Sequence, residues 1–222
     1  MPKRRRIEDN AISALIRDHE GVVRVRDLAR VGVPESTVGY RTRAEGPWQR
    51  ILPAVVLTIS GEPTWRQRLL AAVVYGGTGA VLTGFAALRL GGMRTLPDED
   101  SVHVLVPHKR RRVSTSYVTI ERTKRLPTHT WIAGLPCAPS ARAVIDATRR
   151  MSQTDALRAV ISGAVQRGLC TGVDLVDELS SAQRRGTRLP RLVLSEVLAG
   201  VHSVAEAQAR SLLHSAGVTA PL

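Results

Sequence analysis

Aromatic residues are scarce in this chain of 222 residues, which has three Trp, three Tyr and one Phe. Proteins that read single-stranded nucleic acid or RNA depend on aromatic platforms for base stacking, so the scarcity turns any nucleic-acid reading toward the duplex. Cysteine is scarcer still: Cys137 and Cys170 lie far apart and form no CxxC pattern. Two isolated cysteines suit reduced, partly buried thiols better than a disulfide framework or a zinc site. Long apolar runs are also missing. The longest stretch, Ala80 to Leu90, is broken by Arg89 and falls far short of the roughly 20 residues that span a bilayer, so no transmembrane helix is expected. The opening Met1 to Arg6 is basic like the start of a signal peptide, but Glu8, Asp9 and Asn10 follow where an apolar region would have to begin. A cytoplasmic location is therefore expected.

Signatures of catalysis are lacking as well. The six His form no HExxH or paired ligand pattern, and no Ser sits in the G-x-S-x-G turn that exposes a nucleophile. The cluster Gly76-Gly77-Thr78-Gly79 is followed by no GK[ST] and fails the G-x-G-x-x-G spacing, so it reads as a turn between helices. The expectation is a protein without enzymatic activity, metal or cofactor.

Positive charge is what the chain has in surplus. Lys and Arg number 32 against 19 acidic residues, a formal net charge of +13, which favours a polyanionic partner. Hydrophobic residues make up 43%, enough for a sizeable core in one or two domains.

The N-terminal third carries the most informative pattern. Ile12, Leu15 and Ile16 recur at helical spacing, predicting a first helix from Glu8 to His19 that Gly21 ends. A second short helix is expected from Arg24 to Val31, with Val25, Leu28 and Ala29 facing inward and Gly32 stopping it in a left-handed turn. Pro34 is suited to a first helical position and opens a third helix to about Arg43, anchored by Val38. Trp48 to Ile51 and Val55 to Thr58, rich in strand formers and separated by Leu52-Pro53-Ala54, then form a two-stranded wing. This is the order of a winged helix-turn-helix. In it the solvent face of the third helix offers Glu35, Ser36, Thr37, Tyr40 and Arg41 to base edges or phosphates, while Arg43 and the wing residue Arg50 are expected to hold the backbone.

Beyond residue 60 the pattern changes. Helices are expected at Trp65 to Tyr75 and Gly84 to Leu90, and strands at Val102 to Val106 and Tyr117 to Ile120, paired as a hairpin or as neighbours. From Pro139 on the chain reads as helical, at Ala141 to Arg150, Thr154 to Arg167, Val173 to Leu179, Leu189 to Leu198 and Ser203 to Ser215. Residues 61–130 carry a net charge of +6, more than the +4 of residues 1–60. The densest cluster there, Lys109, Arg110, Arg111 and Arg112, is either a phosphate clamp, a dock for an acidic protein or a solvated loop. Lys3, Arg4, Arg5 and Arg6 are either a minor-groove arm or a solubilising tail. The expected fold class is α+β, mainly helical: a basic flexible arm (1–10), a winged helix-turn-helix (11–60), a mixed α/β domain with a helical C-terminal part (61–200) and a last helix (201–222).

The segment Val33 to Val38, Tyr40-Arg41, Gly46-Pro47-Trp48-Gln49-Arg50 and Leu52-Pro53 resembles the actinobacterial AbiEi-type antitoxin and transcriptional-regulator family of type IV toxin-antitoxin systems. The likeness continues through Ala80 to Gly84, Ala86 to Arg89, Val106-Pro107-His108, Arg122-Thr123 and Ala141 to Asp146. It implies an N-terminal winged helix that binds repeats of double-stranded DNA in its own promoter, as a homodimer on that DNA. It also implies a second domain that neutralises a nucleotidyltransferase-type toxin. Residues 203–217 resemble the first helix of a very-short-patch-repair-like (DUF559-type) endonuclease domain; Glu206 matches an acidic position there, but the later carboxylates such a nuclease needs do not follow. Two alternatives stand beside the regulator: the DNA-targeting part of a shortened endonuclease-like protein without its own active site, and a protein-sequestering module with vestigial DNA binding. The sequence departs from the family at Ala54, where relatives often have Gly, and at Ala29, which precedes Gly32 by one residue less than in many helix-turn-helix proteins.

Overall fold

In a computed structural model that describes residues 2–200, with side chains from residue 10 onward, helix α1 spans Pro2–Asp18. The segment expected as a flexible arm, Lys3 to Arg6, is thus helical along its backbone. Proline at a first helical position forfeits no needed hydrogen bond, and Lys, Arg and Glu are good helix formers, so nothing delays the start to Glu8. At the other end Gly21, with φ +83°, donates its N–H to Ile16 O at 2.8 Å and turns the chain into strand β1 (Val22–Arg24).

Two short helices come next, α2 (Val25–Arg30) and α3 (Glu35–Arg41), each shorter than the spacing predicted. Gly32 takes φ +87° in the turn between them, where a side chain would be strained. Leu28 O accepts the N–H groups of both Val31 and Val33, so the turn is held by the residue that also fills the core. Val23, Leu28, Val33, Val38, Trp48 and Val56 form that core, with Ile12, Leu15 and Ile16 of α1 packed against it. Ala29, expected to face inward, is exposed. In a helix of six residues one inward position suffices, and Leu28 takes it.

Strands β2 (Gln49–Leu52) and β3 (Val55–Leu57) form a hairpin, and β3 pairs antiparallel with β1, giving the sheet order β1-β3-β2. Pro53 and Ala54 make its turn. Ala54 has φ +59°, a left-handed conformation that costs an L-residue about 1 kcal/mol or more and suits Gly. Ala54→Gly should therefore raise stability, by up to about 1 kcal/mol once the extra freedom of the unfolded chain is subtracted. Urea denaturation checks this; a loss of stability would mean that the turn carries no such strain.

Helix α4 (Trp65–Gly76) begins with a capping box, in which Thr64 N donates to Gln67 Oε1 at 3.0 Å and Gln67 N to Thr64 Oγ1 at 3.2 Å. Its buried residues, Gln67, Leu69, Ala71, Ala72, Tyr75 and Gly76, cover a broad arc of more than half its circumference rather than one narrow stripe. The reason is that α4 packs against strands of two sheets, the N-terminal one and a second built of β4 (Val81–Leu82), β5 (Val102–Pro107), β6 (Val118–Thr123), β7 (Thr130–Ile132) and β8 (Leu135–Cys137). A Cβ on Gly76 would come within 3.2 Å of Val104 Cγ1, so the absence of a side chain there lets α4 lie close to β5.

The second sheet has the order β6-β5-β4-β8-β7. Its β5 and β6 are parallel, in register from Val102↔Val118 to Pro107↔Thr123, and so are neighbours rather than a hairpin. The chain divides into two compact units: one runs to Ala86 and resumes at Asp98–Ala138, and the other comprises Ala87–Pro97 and the chain from Pro139 onward. The boundary expected near residue 61 is therefore not a division between units, because α4 serves both sheets. The chain leaves the first unit within α5 (Gly84–Leu90).

The second unit is helical, with α6 (Ser140–Thr148), α7 (Thr154–Gln166), α8 (Gly172–Ser181) and a further helix at 188–200. The helix expected at Ser203 to Ser215, with Glu206, lies outside the described residues. With helices, an antiparallel N-terminal sheet and a second sheet of mixed pairing, the fold is α+β.

Candidate nucleic-acid interface

Helix α3 is fixed from below by Val38, which is fully buried, and its position leaves Glu35, Ser36, Tyr40 and Arg41 exposed, with Thr37 half-buried beside them. The exposed arginines do not hang free. The Arg41 guanidinium lies 4.7 Å from the centroid of the Trp48 ring, while Trp48 N donates to Arg41 O at 3.0 Å. Beside it, the Arg43 guanidinium sits 3.9 Å from the Tyr40 ring centroid and donates from Nη2 to Tyr40 Oη at 3.1 Å. Each cation–π pair is worth about 0.5–1 kcal/mol at an exposed site, enough to bias the rotamers of both arginines without neutralising their charge. Gly46 makes this possible: a Cβ there would collide with Arg41 O, the carbonyl that holds Trp48.

Arg50 lies exposed on β2 opposite Val56, beside a register irregularity between Arg50 and Leu52 that leaves Leu52 buried in the core. Lys109, Arg110, Arg111 and Arg112 are all exposed in the connection between β5 and β6. The side chains of Lys3, Arg4, Arg5 and Arg6 lie outside the described residues.

The structure thus brings together two pairs, Arg41 with Trp48 and Arg43 with Tyr40. The role of Trp48 as a platform is a contact across a turn, visible in sequence only as an aromatic five residues after Arg43. Arg24 is a further basic residue near this region that no local sequence signal singles out. It ends β1, and its Nε donates to Val74 O at 2.8 Å near the end of α4.

An exposed helix face with hydroxyl, carboxylate, phenol and guanidinium groups has the donors and acceptors that complement base edges in a major groove, and such a groove is wide enough for one helix. The two cysteines are free and buried, and burial pushes each thiol up to about 11, so neither is a ready nucleophile at neutral pH. Among the described residues no group of three or more His, Cys, Asp or Glu could hold a metal, and no helix is long and apolar enough to cross a membrane.

No family profile matches the chain, and no curated protein sequence does. Among solved structures, the crystal structure of the RV2827C protein from Mycobacterium tuberculosis is similar, with a TM-score of 0.55 and 20% identity over 84% of this chain and 75% of that one. Likeness at that identity extends to the fold alone.

Proposed function

We propose that the chain is a sequence-specific regulator that binds double-stranded DNA through a winged helix-turn-helix, with α3 as the reading helix and the β2–β3 hairpin as the wing. The observation that carries this reading is the exposed face at the end of α3, where Arg41 and, just beyond the helix, Arg43 are each held against an aromatic ring. Glu35, Ser36, Thr37, Tyr40 and Arg41 face the bases in this reading, and Arg43 and Arg50 hold phosphates. The net charge of +13 supplies the sequence-independent attraction on which such reading is superimposed.

The resemblance to AbiEi-type antitoxins extends the proposal: the protein works in the cytoplasm, binds repeats in its own promoter as a homodimer, and neutralises a nucleotidyltransferase-type toxin. Co-expression with the neighbouring open reading frame tests that part, since rescue of growth is expected and continued toxicity would overturn it.

For DNA reading itself, fluorescence anisotropy with two duplexes, one from the chain's own upstream region and one of mixed sequence, gives the test. Arg41→Ala is expected to lower the ratio of specific to mixed-sequence affinity by about 5- to 150-fold, the value of one good base contact. Equal loss on both duplexes would place Arg41 on the backbone instead. No difference between the two duplexes with the unsubstituted chain would overturn sequence-specific reading.

A further inference from the structure

We infer that Arg24, Arg26, Arg110 and Arg112 form a second phosphate-binding surface that grips the DNA backbone alongside the wing. This inference rests on the DNA-binding reading above and deepens it by assigning the basic cluster of the second sheet to the same ligand.

The geometry begins with strand pairing. Because β5 and β6 are parallel, their connection cannot turn back tightly and has to travel the length of the strands before β6 starts. It passes over the last turn of α4, where Tyr75 Oη donates to Val113 O at 2.9 Å and the Arg112 guanidinium lies 5.1 Å from the Tyr75 ring centroid. The residue before Tyr75, Val74, offers its carbonyl to Arg24. Two arginines from distant parts of the sequence are therefore anchored on consecutive residues of one helix. The wing joins the same neighbourhood, because Val25 N, next to Arg24, donates to Ala54 O in the hairpin turn at 3.0 Å.

The electrostatics agree. Arg24 is held below the usual arginine range, first by partial burial and then by the charges of Arg26, Arg112 and Arg110, with Asp27 acting in the opposite sense. Asp27 contacts Arg26 at 3.6 Å and Arg30 at 2.9 Å, so it offsets part of the charge of α2. Among the described residues, Lys109, Arg110 and Arg112 form no ion pair with a carboxylate. Like charges gathered with Asp27 as a partial counter-charge still repel one another in the free protein. A polyanion relieves that repulsion, and duplex DNA presents a phosphate every few ångströms along each strand. An acidic protein would satisfy the same charges, but the tie to the hairpin turn puts them beside the element that reaches a duplex in winged-helix docking.

The test compares the full chain with an Arg110→Gln/Arg112→Gln variant and an Arg110→Lys/Arg112→Lys variant, on the upstream and mixed-sequence duplexes, over a range of salt. The glutamine variant should lose affinity by roughly tenfold at moderate salt on both duplexes alike, and its log–log salt slope should be shallower by about 1.8, roughly two phosphates at about 0.9 each. The lysine variant should keep the slope, since charge rather than shape is required. Equal thermal unfolding of the three proteins establishes that the substitutions act on binding. An unchanged slope in the glutamine variant, while the unsubstituted chain binds duplex, would overturn this inference alone and leave the patch to a protein partner. Failure of the unsubstituted chain to bind any duplex at low salt would overturn both readings.

Discussion

Asp146→Ala should cost about 3–5 kcal/mol of stability, lowering Tm on the order of 10 °C, because it removes a buried carboxylate that two guanidinium groups share. Asp146 is 1% exposed and Arg142 is 6% exposed. Arg142 Nε donates to Asp146 Oδ2 at 2.8 Å one turn away on α6, and Arg149 Nη1 lies 3.4 Å from Oδ1. Arg142 also reaches toward α8, where Glu178 Oε1 is 3.6 Å from its Nη1. One carboxylate therefore holds two guanidinium groups in place, and one of these groups links two helices of the second unit. With the aspartate gone, Arg142 and Arg149 lose a shared buried counter-charge, and water or a shift of α6 has to take its place. Asp146→Asn, which keeps the shape and one acceptor, should cost less than Asp146→Ala. Scanning calorimetry measures both, and a shift in Tm of only about a degree for the alanine variant would show that the network is neither dry nor coupled.

Leu28→Ala should cost about 2–5 kcal/mol, the range for deleting a fully buried leucine whose cavity cannot collapse. Leu28 is fully buried in the core that Val23, Val33, Val38, Trp48 and Val56 also line. Its carbonyl holds the N–H groups of Val31 and Val33 in the α2–α3 turn, so the backbone cannot shift freely into the space left by the side chain. The variant separates architecture from reading. Where it remains folded, its ratio of specific to mixed-sequence affinity should be close to that of the unsubstituted chain, since no side chain on the α3 surface has changed. Urea denaturation gives the loss of stability, and anisotropy at low temperature gives the ratio. A loss well under about 1 kcal/mol would contradict the packing described for this core.

The N-terminal helices are legible in the sequence because their signals are local: Ile12, Leu15 and Ile16 at helical spacing, Gly32 at a left-handed turn, and Val38 as the inward anchor of α3. What is not legible depends on residues far away. Val22-Val23-Arg24 is a strand only because β3, distant along the chain, supplies a partner, so it reads in isolation as the approach to a helix. Strands β7 and β8 are three residues each and are joined by Ala133-Gly134, both at positive φ, a turn geometry that a hairpin between short strands requires but that Ala rarely signals. The boundary near residue 61 reflects a change of pattern along the chain, whereas α4 is buried on several sides and belongs to both sheets. At the candidate site, residue types are readable and pairings are not. Tyr40 and Arg43 stand at helical spacing, yet nothing local indicates that Trp48 lies under Arg41 or that Arg24 reaches the end of α4.

The central claim, that α3 and the hairpin meet the duplex, is tested most directly by amide hydrogen exchange of the full chain with and without the upstream duplex. The account predicts added protection in Glu35–Arg41 and around Ala54 in the hairpin turn, smaller protection in the loop 109–112, and little change in α7. Protection confined to the second unit, with α3 exchanging as it does in the free protein, would contradict it.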